Sequence, residues 1–264
     1  MSFLIATPIS HFFNDPIKAE RIIRLSDCLE VRDEFSGTTF PQELLYHSHL
    51  EINKTLSLDD KNYLKKILRK KENLKLISMH LANDYSAPKI SNKKFVPGGL
   101  KLSKEQMFEN INNNKKFIED LNPNIEILIE NNNYFKTGAY DLVTAPNFMS
   151  EVVEVFGLNF LFDVSHSIIS AFNRKTNFNE YFDQLPISKT RQIHFSKESF
   201  SLMENIMVDS HYLPILAEVK HIIGKVIAIS EQFEFVTIEY YRDFSKLENL
   251  LESLQKLKNE FELP

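Results

Sequence analysis

A chain of 264 residues, 43% of them hydrophobic and 25% charged, suits one sizeable globular domain or two small ones. Its formal net charge of −5 excludes a strong overall basic field for nucleic acid, while leaving room for a local basic groove. A single cysteine, Cys28, excludes an internal disulfide framework, and six glycines leave no Gly-rich phosphate loop of the dinucleotide or Walker type. No apolar run approaches the roughly 18 to 20 residues that span a bilayer, and the N-terminal residues lack the basic and apolar regions of a signal peptide. These features, with the lone thiol, lead us to expect a cytoplasmic protein.

In chain order, residues 3–9 read as a first strand, and Asp15-Pro16 as the N-cap and first position of a helix to about Leu25. Residues 27–32 alternate like a second strand, and 43–50 hold a third around Leu44-Leu45-Tyr46-His47. Residues 57–71 form a helix with Tyr63, Leu64, Ile67 and Leu68 on one face, and the charge run from Lys65 to Lys71 reads as its exposed side and end. A fourth strand at 75–80 is followed by a long polar loop, 81–100. A helix at 103–119 opens with Ser103 and Gln106 as a capping box. Strands follow at 125–130, 160–163, 191–194 and 235–240, and helices at 146–156 and 214–223. A last helix, 245–260, has Ser245 and Glu248 in capping-box register. Eight short strands alternate with helical segments and no linker interrupts them, so the expected fold is one α/β domain over residues 1–264, a (β/α)8 TIM barrel. An open doubly wound sheet is the rival, disfavoured by the absence of a Gly-rich first turn.

In such a barrel the C-terminal strand ends share one site. In order they carry His47, His80, Glu130, Asp163 with His166, His194 and Glu239, and the loop after the seventh strand adds Asp209 and His211. Most end an apolar run, such as Leu-Ile-Ser-Met-His80 or Val-Thr-Ile-Glu239, where an imidazole or carboxylate is costly to bury without compensation. Nine such groups exceed the three or four protein ligands zinc usually takes, which leads us to expect two or three Zn, Mn or Fe ions. The bland reading is a hydrogen-bonded polar mouth without metal. His49 lies two residues past His47 and competes with it as a ligand; His11 and His221 read as surface or packing residues. Glu30, Asp33 and Glu34 read as a solvated loop or a substrate contact, and Asn131 to Asn133 as a turn, with Asn131 also placed to orient substrate.

This set resembles the xylose-isomerase-like TIM barrels, and within them endonuclease IV. The resemblance implies a trinuclear zinc site on His47, His80, Glu130, Asp163, His166, His194, Asp209, His211 and Glu239, in chain order. Ile129-Glu130-Asn131 and the segment from Asp163 to Ala171 are also similar. The sequence departs from that family at His80-Leu81-Ala82, at Ser210 and at Ser196-Lys197-Glu198, where loops would face DNA. It is also similar to the multinuclear iron enzymes that oxidise cysteines of peptide natural products, through Leu29-Glu30-Val31, the sixth strand and Ile238-Glu239-Tyr240-Tyr241-Arg242-Asp243; their paired Asn is Ser165-His166 here. Sugar isomerases and epimerases on this fold need only the equivalents of Glu130, Asp163, His194 and Glu239. The ordered ligand set ranks a metal-dependent phosphodiester hydrolase first, with Glu130 bridging metals and positioning hydroxide. A sugar or sugar-phosphate isomerase with Glu130 and Glu239 as acid and base is an alternative. Further alternatives are a peptide-oxidising iron enzyme served by a peptide-delivering partner, and a metal-binding module without turnover. The substrates implied are nucleic acid, a phosphorylated sugar or a peptide, with no membrane partner.

Overall fold

The computed structural model describes residues 3–262. Eight parallel strands close into a barrel: β1 (Leu4–Pro8), β2 (Cys28–Arg32), β3 (Glu43–Glu51), β4 (Leu76–His80), β7 (Glu126–Glu130), β8 (Asn159–Asp163), β9 (Thr190–Phe195) and β12 (Phe235–Ile238). Two antiparallel hairpins are inserted at the mouth: β5 (Lys89–Ser91) with β6 (Lys94–Val96), and β10 (Lys197–Ser201) with β11 (Ile206–Tyr212). The first lies inside the expected polar loop, and the second inside the expected loop after the seventh strand.

The alternation of each strand explains both the barrel and its mouth. Ala6, Cys28, Leu45, Leu76, Leu128, Leu161 and Phe235, one from each of seven strands, form an apolar plug of their own. The residues between them, such as Ile5, Leu29, Tyr46, Ile77, Ile129, Phe160 and Val236, join the larger core that packs against the helices. Because side chains on a strand repeat with period two, the residue two positions past each plug residue faces the barrel interior again. Those positions hold Pro8, Glu30, His47, Ser78, Glu130, Asp163 and Thr237, with Gln192 and His194 on β9, and all are buried. An apolar floor under a polar layer is thus written into the strand pattern.

The helices are α1 (Pro16–Leu25), α2 (Leu58–Lys70), α3 (Lys104–Leu121), α4 (Pro146–Phe156), α5 (Val164–Arg174), α6 (Phe178–Asp183), α7 (Leu216–Ile227) and α8 (Phe244–Glu262). Asp15 caps α1 through Ile17 N and Lys18 N, and Ser103 with Gln106 forms the expected capping box of α3. The box expected at Ser245 and Glu248 is absent. Asp243 caps that turn by accepting from Lys246 N at 3.2 Å, and Glu248 instead accepts from Arg21 Nη2 at 2.5 Å. Among the described residues no helix is long and apolar enough to cross a membrane.

Lys71 departs from its expected place on an exposed face. It is 4% exposed, and its ammonium reaches Glu43 Oε2 at 2.5 Å and Thr38 O at 2.8 Å, between α2 and β3. Removing one partner of a buried pair strands the other charge. Lys71→Met is therefore expected to cost about 3 kcal/mol in chemical denaturation, and adding Glu43→Leu to restore most of that loss.

Candidate metal centre

Strand register sets the first contacts. His80 is paired with Glu130 across β4 and β7, and Asp163 with His194 across β8 and β9. Glu130, 1% exposed, stands at the middle. Its Oε2 lies 2.7 Å from His80 Nδ1 and 3.7 Å from His47 Nε2, and its Oε1 3.4 Å from His194 Nδ1 and 3.8 Å from His166 Nδ1. His194 Nδ1 is also 3.1 Å from Glu239 Oε1. His211 Nδ1 is 3.4 Å from Glu239 Oε2, and its Nε2 is 3.2 Å from Asp209 Oδ2, which lies 3.6 Å from His166 Nε2. All nine expected residues therefore meet at one mouth.

Several are aimed by neighbours. Asp163 has two tasks. Its Oδ1 accepts from His166 N at 2.7 Å and caps α5, while its Oδ2 has no hydrogen-bond partner. One oxygen thus caps the helix and the other is left for the site. His166 Nδ1 donates to Asn131 O at 2.8 Å, which turns Nε2 towards Asp209. His47 Nδ1 is bonded to Ser78 Oγ at 2.8 Å, leaving Nε2 for the centre. Asn131 is fully buried and donates to Asp163 O and Ser167 Oγ, so it braces the site and is no exposed turn. Hairpin β10–β11 is docked on α5 by Asn173, which donates to Met207 O at 3.0 Å and accepts from Met207 N at 2.9 Å. That docking carries Asp209 and His211 over the mouth. His211 has φ +43, a conformation rare for a non-glycine residue and found where a site dictates the backbone.

His49 is not part of this centre. The β3–β4 register shifts between His47 and Glu51, and His49 turns out to a hydrogen-bonded contact with Asp33, its side chain 69% exposed. His11 and His221 are exposed, as expected.

The residue that the sequence reading misplaced is Glu30. It is fully buried, with Oε2 2.8 Å from His194 Nε2 and 2.5 Å from Gln192 Nε2, and Oε1 2.6 Å from Arg32 Nη2. Arg32 bridges Glu30 to Glu239 as well. The signal was the alternation Cys28, Glu30, Arg32, which points Glu30 inward with the plug residue below it. A carboxylate on the far nitrogen of an imidazole fixes its tautomer and orientation, and losing such a partner typically weakens metal affinity about 10–100-fold. Glu30→Gln is expected to show a loss of that order in metal titrations, with His194 reoriented; unchanged affinity would remove Glu30 from this role.

Charges in the cluster balance by pairing. Burial raises the Glu130 carboxyl, but the imidazoles around it, His80 first, outweigh it and hold it well below the usual range. Burial and Arg32 hold His47 well below the ordinary imidazole value, in the neutral form a ligand requires. Burial pulls His194 down, yet Glu30 and Glu130 raise it to about 9. Burial pushes Asp163 up to about 6, and His166 pulls against it. A cation bound at His194 Nδ1 would take the place of that proton.

The donor set fits metal ions. Three groups place ligand atoms within 4.8 Å of one another: His47, Glu130 and His194; Glu30, His194 and Glu239; and Glu130, Asp163 and His166. Glu130 Oε2, Asp163 Oδ2, His194 Nδ1 and His211 Nδ1 are buried and make no hydrogen bond. Buried polar atoms are rarely left so. Four of them converging at one mouth, close together yet not aligned on each other, are what ligands aimed at shared cations look like. A cavity of about 360 Å³ reaches the same place from the β1–β2 side, past Ile9, Arg32, Glu239 and Tyr241.

The family model described as "RiPP precursor modification enzyme MbnB/TglH/ChrH" matches residues 42–261, which include all nine residues. The chain belongs to this family. MbnB/TglH/ChrH membership makes the resemblance to the peptide-modifying iron enzymes the closer one, and Glu30, just outside the matched segment, serves His194 within it. A UPF0276 protein of Psychromonas ingrahamii is 25% identical over 150 residues, 54% of this chain and 53% of the relative. The chain thus spans about half the length of the curated relative it matches. Among solved structures, the 3-keto-D-glucoside 4-epimerase of E. coli aligns over 97% of this chain and 99% of its own with a TM-score of 0.61 and 11% identity. Endonuclease IV of Thermus thermophilus aligns over 97% and 99% with a TM-score of 0.60 and 11% identity. The D-psicose 3-epimerase of Clostridium cellulolyticum aligns over 98% and 99%, with a TM-score of 0.58 and 13% identity. At such identities these likenesses show the fold, a xylose-isomerase-like TIM barrel, and not the reaction.

Proposed function

We propose that this chain is a multinuclear iron enzyme, working as one catalytic domain, that oxidatively modifies a cysteine of a ribosomally made peptide precursor. The observation that carries the reading is the match to a peptide-precursor modification family across the residues that gather at the barrel mouth. Mixed imidazole and carboxylate donors suit iron, manganese or zinc, and a set of this size serves two or three ions. Bound iron supplies the redox couple through which dioxygen oxidises the peptide.

The chain's own residues do the rest. Glu130, with histidines on both of its oxygens, would hold metal ions from the middle of the set, and Glu239, between His194 and His211, would do so from the β12 end. Glu30 and Arg32 keep His194 and Glu239 oriented from behind. The plug beneath the polar layer closes the barrel floor, so substrate enters from the hairpin side. A partner protein that delivers the peptide belongs to the proposal.

Sequence alone ranked phosphodiester hydrolysis first. The departures at Leu81-Ala82, Ser196-Lys197-Glu198 and Ser210 weaken that reading, and family membership turns it towards a peptide. The test is mass spectrometry of a cysteine-containing precursor peptide incubated in air with protein reconstituted anaerobically with Fe(II). An oxidative mass change that needs iron and dioxygen and is lost on chelation is the expected result. Chelator-sensitive cleavage of an abasic-site duplex, with the peptide unchanged, would return the assignment to hydrolysis.

A further inference from the structure

A second cavity, about 610 Å³, lies between the two hairpins and opens on the metal centre at Asp209 and His211. It is a built feature of the fold. Lys94 on β6 reaches across to Glu204 in the β10–β11 turn at 2.6 Å, and its ammonium sits 5.3 Å above the Phe135 ring. Phe135 belongs to a small core with Ala139, Tyr140 and Ile169, on which Phe95, Met207 and Val208 pack, so both hairpins rest on one support. Asn133 lines the cavity. It is 9% exposed, and its Oδ1 is buried without a hydrogen-bond partner. A buried amide oxygen left without a donor beside a reactive centre is an acceptor waiting for a ligand N–H.

The charges at the rim are not balanced within the cavity. Lys94 is taken by Glu204, and Asp209 by His166 and His211. Lys93 stands exposed at the β5–β6 turn, with φ +60, and Arg242 lines the opposite side. Arg242 is held in place: Nη2 donates to Ser210 O at 2.7 Å, and the guanidinium lies 3.9 Å above the Tyr212 ring. Stacking and one hydrogen bond fix the plane of an Arg that lines the cavity, the arrangement suited to a carboxylate.

Resting on the peptide reading above, we propose that this inter-hairpin cavity is the peptide subsite, selecting a carboxylate next to the modified residue through Arg242 and Lys93, while Asn133 Oδ1 accepts a backbone N–H. The carboxylate comes from an acidic side chain or from the peptide's own C-terminus.

Fluorescence anisotropy on metal-loaded protein separates these sources with three labelled peptides around a central cysteine: one with a following Asp and an amidated end, one with Asn and an amidated end, and one ending in a free carboxylate directly after the cysteine. At least one carboxylate peptide is expected to bind about tenfold tighter than the neutral one, and which of the two does so names the source. The preference should shrink in Arg242→Gln and in Lys93→Asn, where Asn tolerates the turn backbone, and should weaken with salt. Equal binding of all three peptides, or a preference indifferent to both substitutions, would overturn the assignment. A carboxylate preference that persists in protein unable to oxidise any peptide would fault the iron-oxidase reading and leave the subsite standing.

Discussion

Glu130→Gln is expected to lower metal-dependent turnover by several orders of magnitude while leaving a folded barrel. The residue is central in a literal sense: its two oxygens face His47 and His80 on one side and His194 and His166 on the other, and two of the three ligand groups contain it. Gln keeps the shape but removes a negative charge that would bridge cations. In the metal-free protein the same charge sits among imidazoles, with His194 raised to about 9 by Glu30 and Glu130. The substitution therefore also leaves imidazolium less well compensated, at a cost of about 1–3 kcal/mol. Metal analysis and denaturation on one preparation read both effects. Full metal content in the variant would refute the bridging role, whatever its stability.

The second large effect is expected from Glu239→Gln. This carboxylate lies at the end of Phe235–Ile238, 3.1 Å from His194 Nδ1 and 3.4 Å from His211 Nδ1, and it pairs with Arg32. Among the carboxylates of the mouth alone, removing one charge would relieve repulsion. The Arg32 contact changes that balance, because Arg32 keeps Glu30 but loses its second carboxylate. We expect fewer metal equivalents, turnover reduced by several orders of magnitude, and a stability loss of about 1–3 kcal/mol. Unchanged metal stoichiometry together with lowered stability would mean that Glu239 serves Arg32 and not a cation.

The barrel was legible because each of its strands is a short apolar run bounded by turn residues, and the nine mouth residues because most of them end those runs. What escaped was set by contacts between distant segments. Asp33 and Glu34 follow Glu30 closely, so the three read as one acidic cluster at a strand end, although the alternation from Cys28 turns Glu30 inward towards His194. Asp209 and His211 were found as residues but not as parts of a hairpin, since β11 is ordered by Asn173 of α5, far away in the chain. Lys71 ends a run of exposed lysines, and only the packing of α2 on β3 shows that it meets Glu43. The choice between His47 and His49 turned on a register shift in β3, which no local pattern encodes. At the last helix the chain caps with Asp243 and not with the expected Ser245.

We propose that this mouth is a multinuclear iron site. Elemental analysis of protein purified without chelator and reconstituted anaerobically with Fe(II) tests it most directly. About two to three iron atoms per chain are expected, falling in Glu130→Gln and Glu239→Gln. Less than one metal equivalent after reconstitution with iron, manganese or zinc would contradict it.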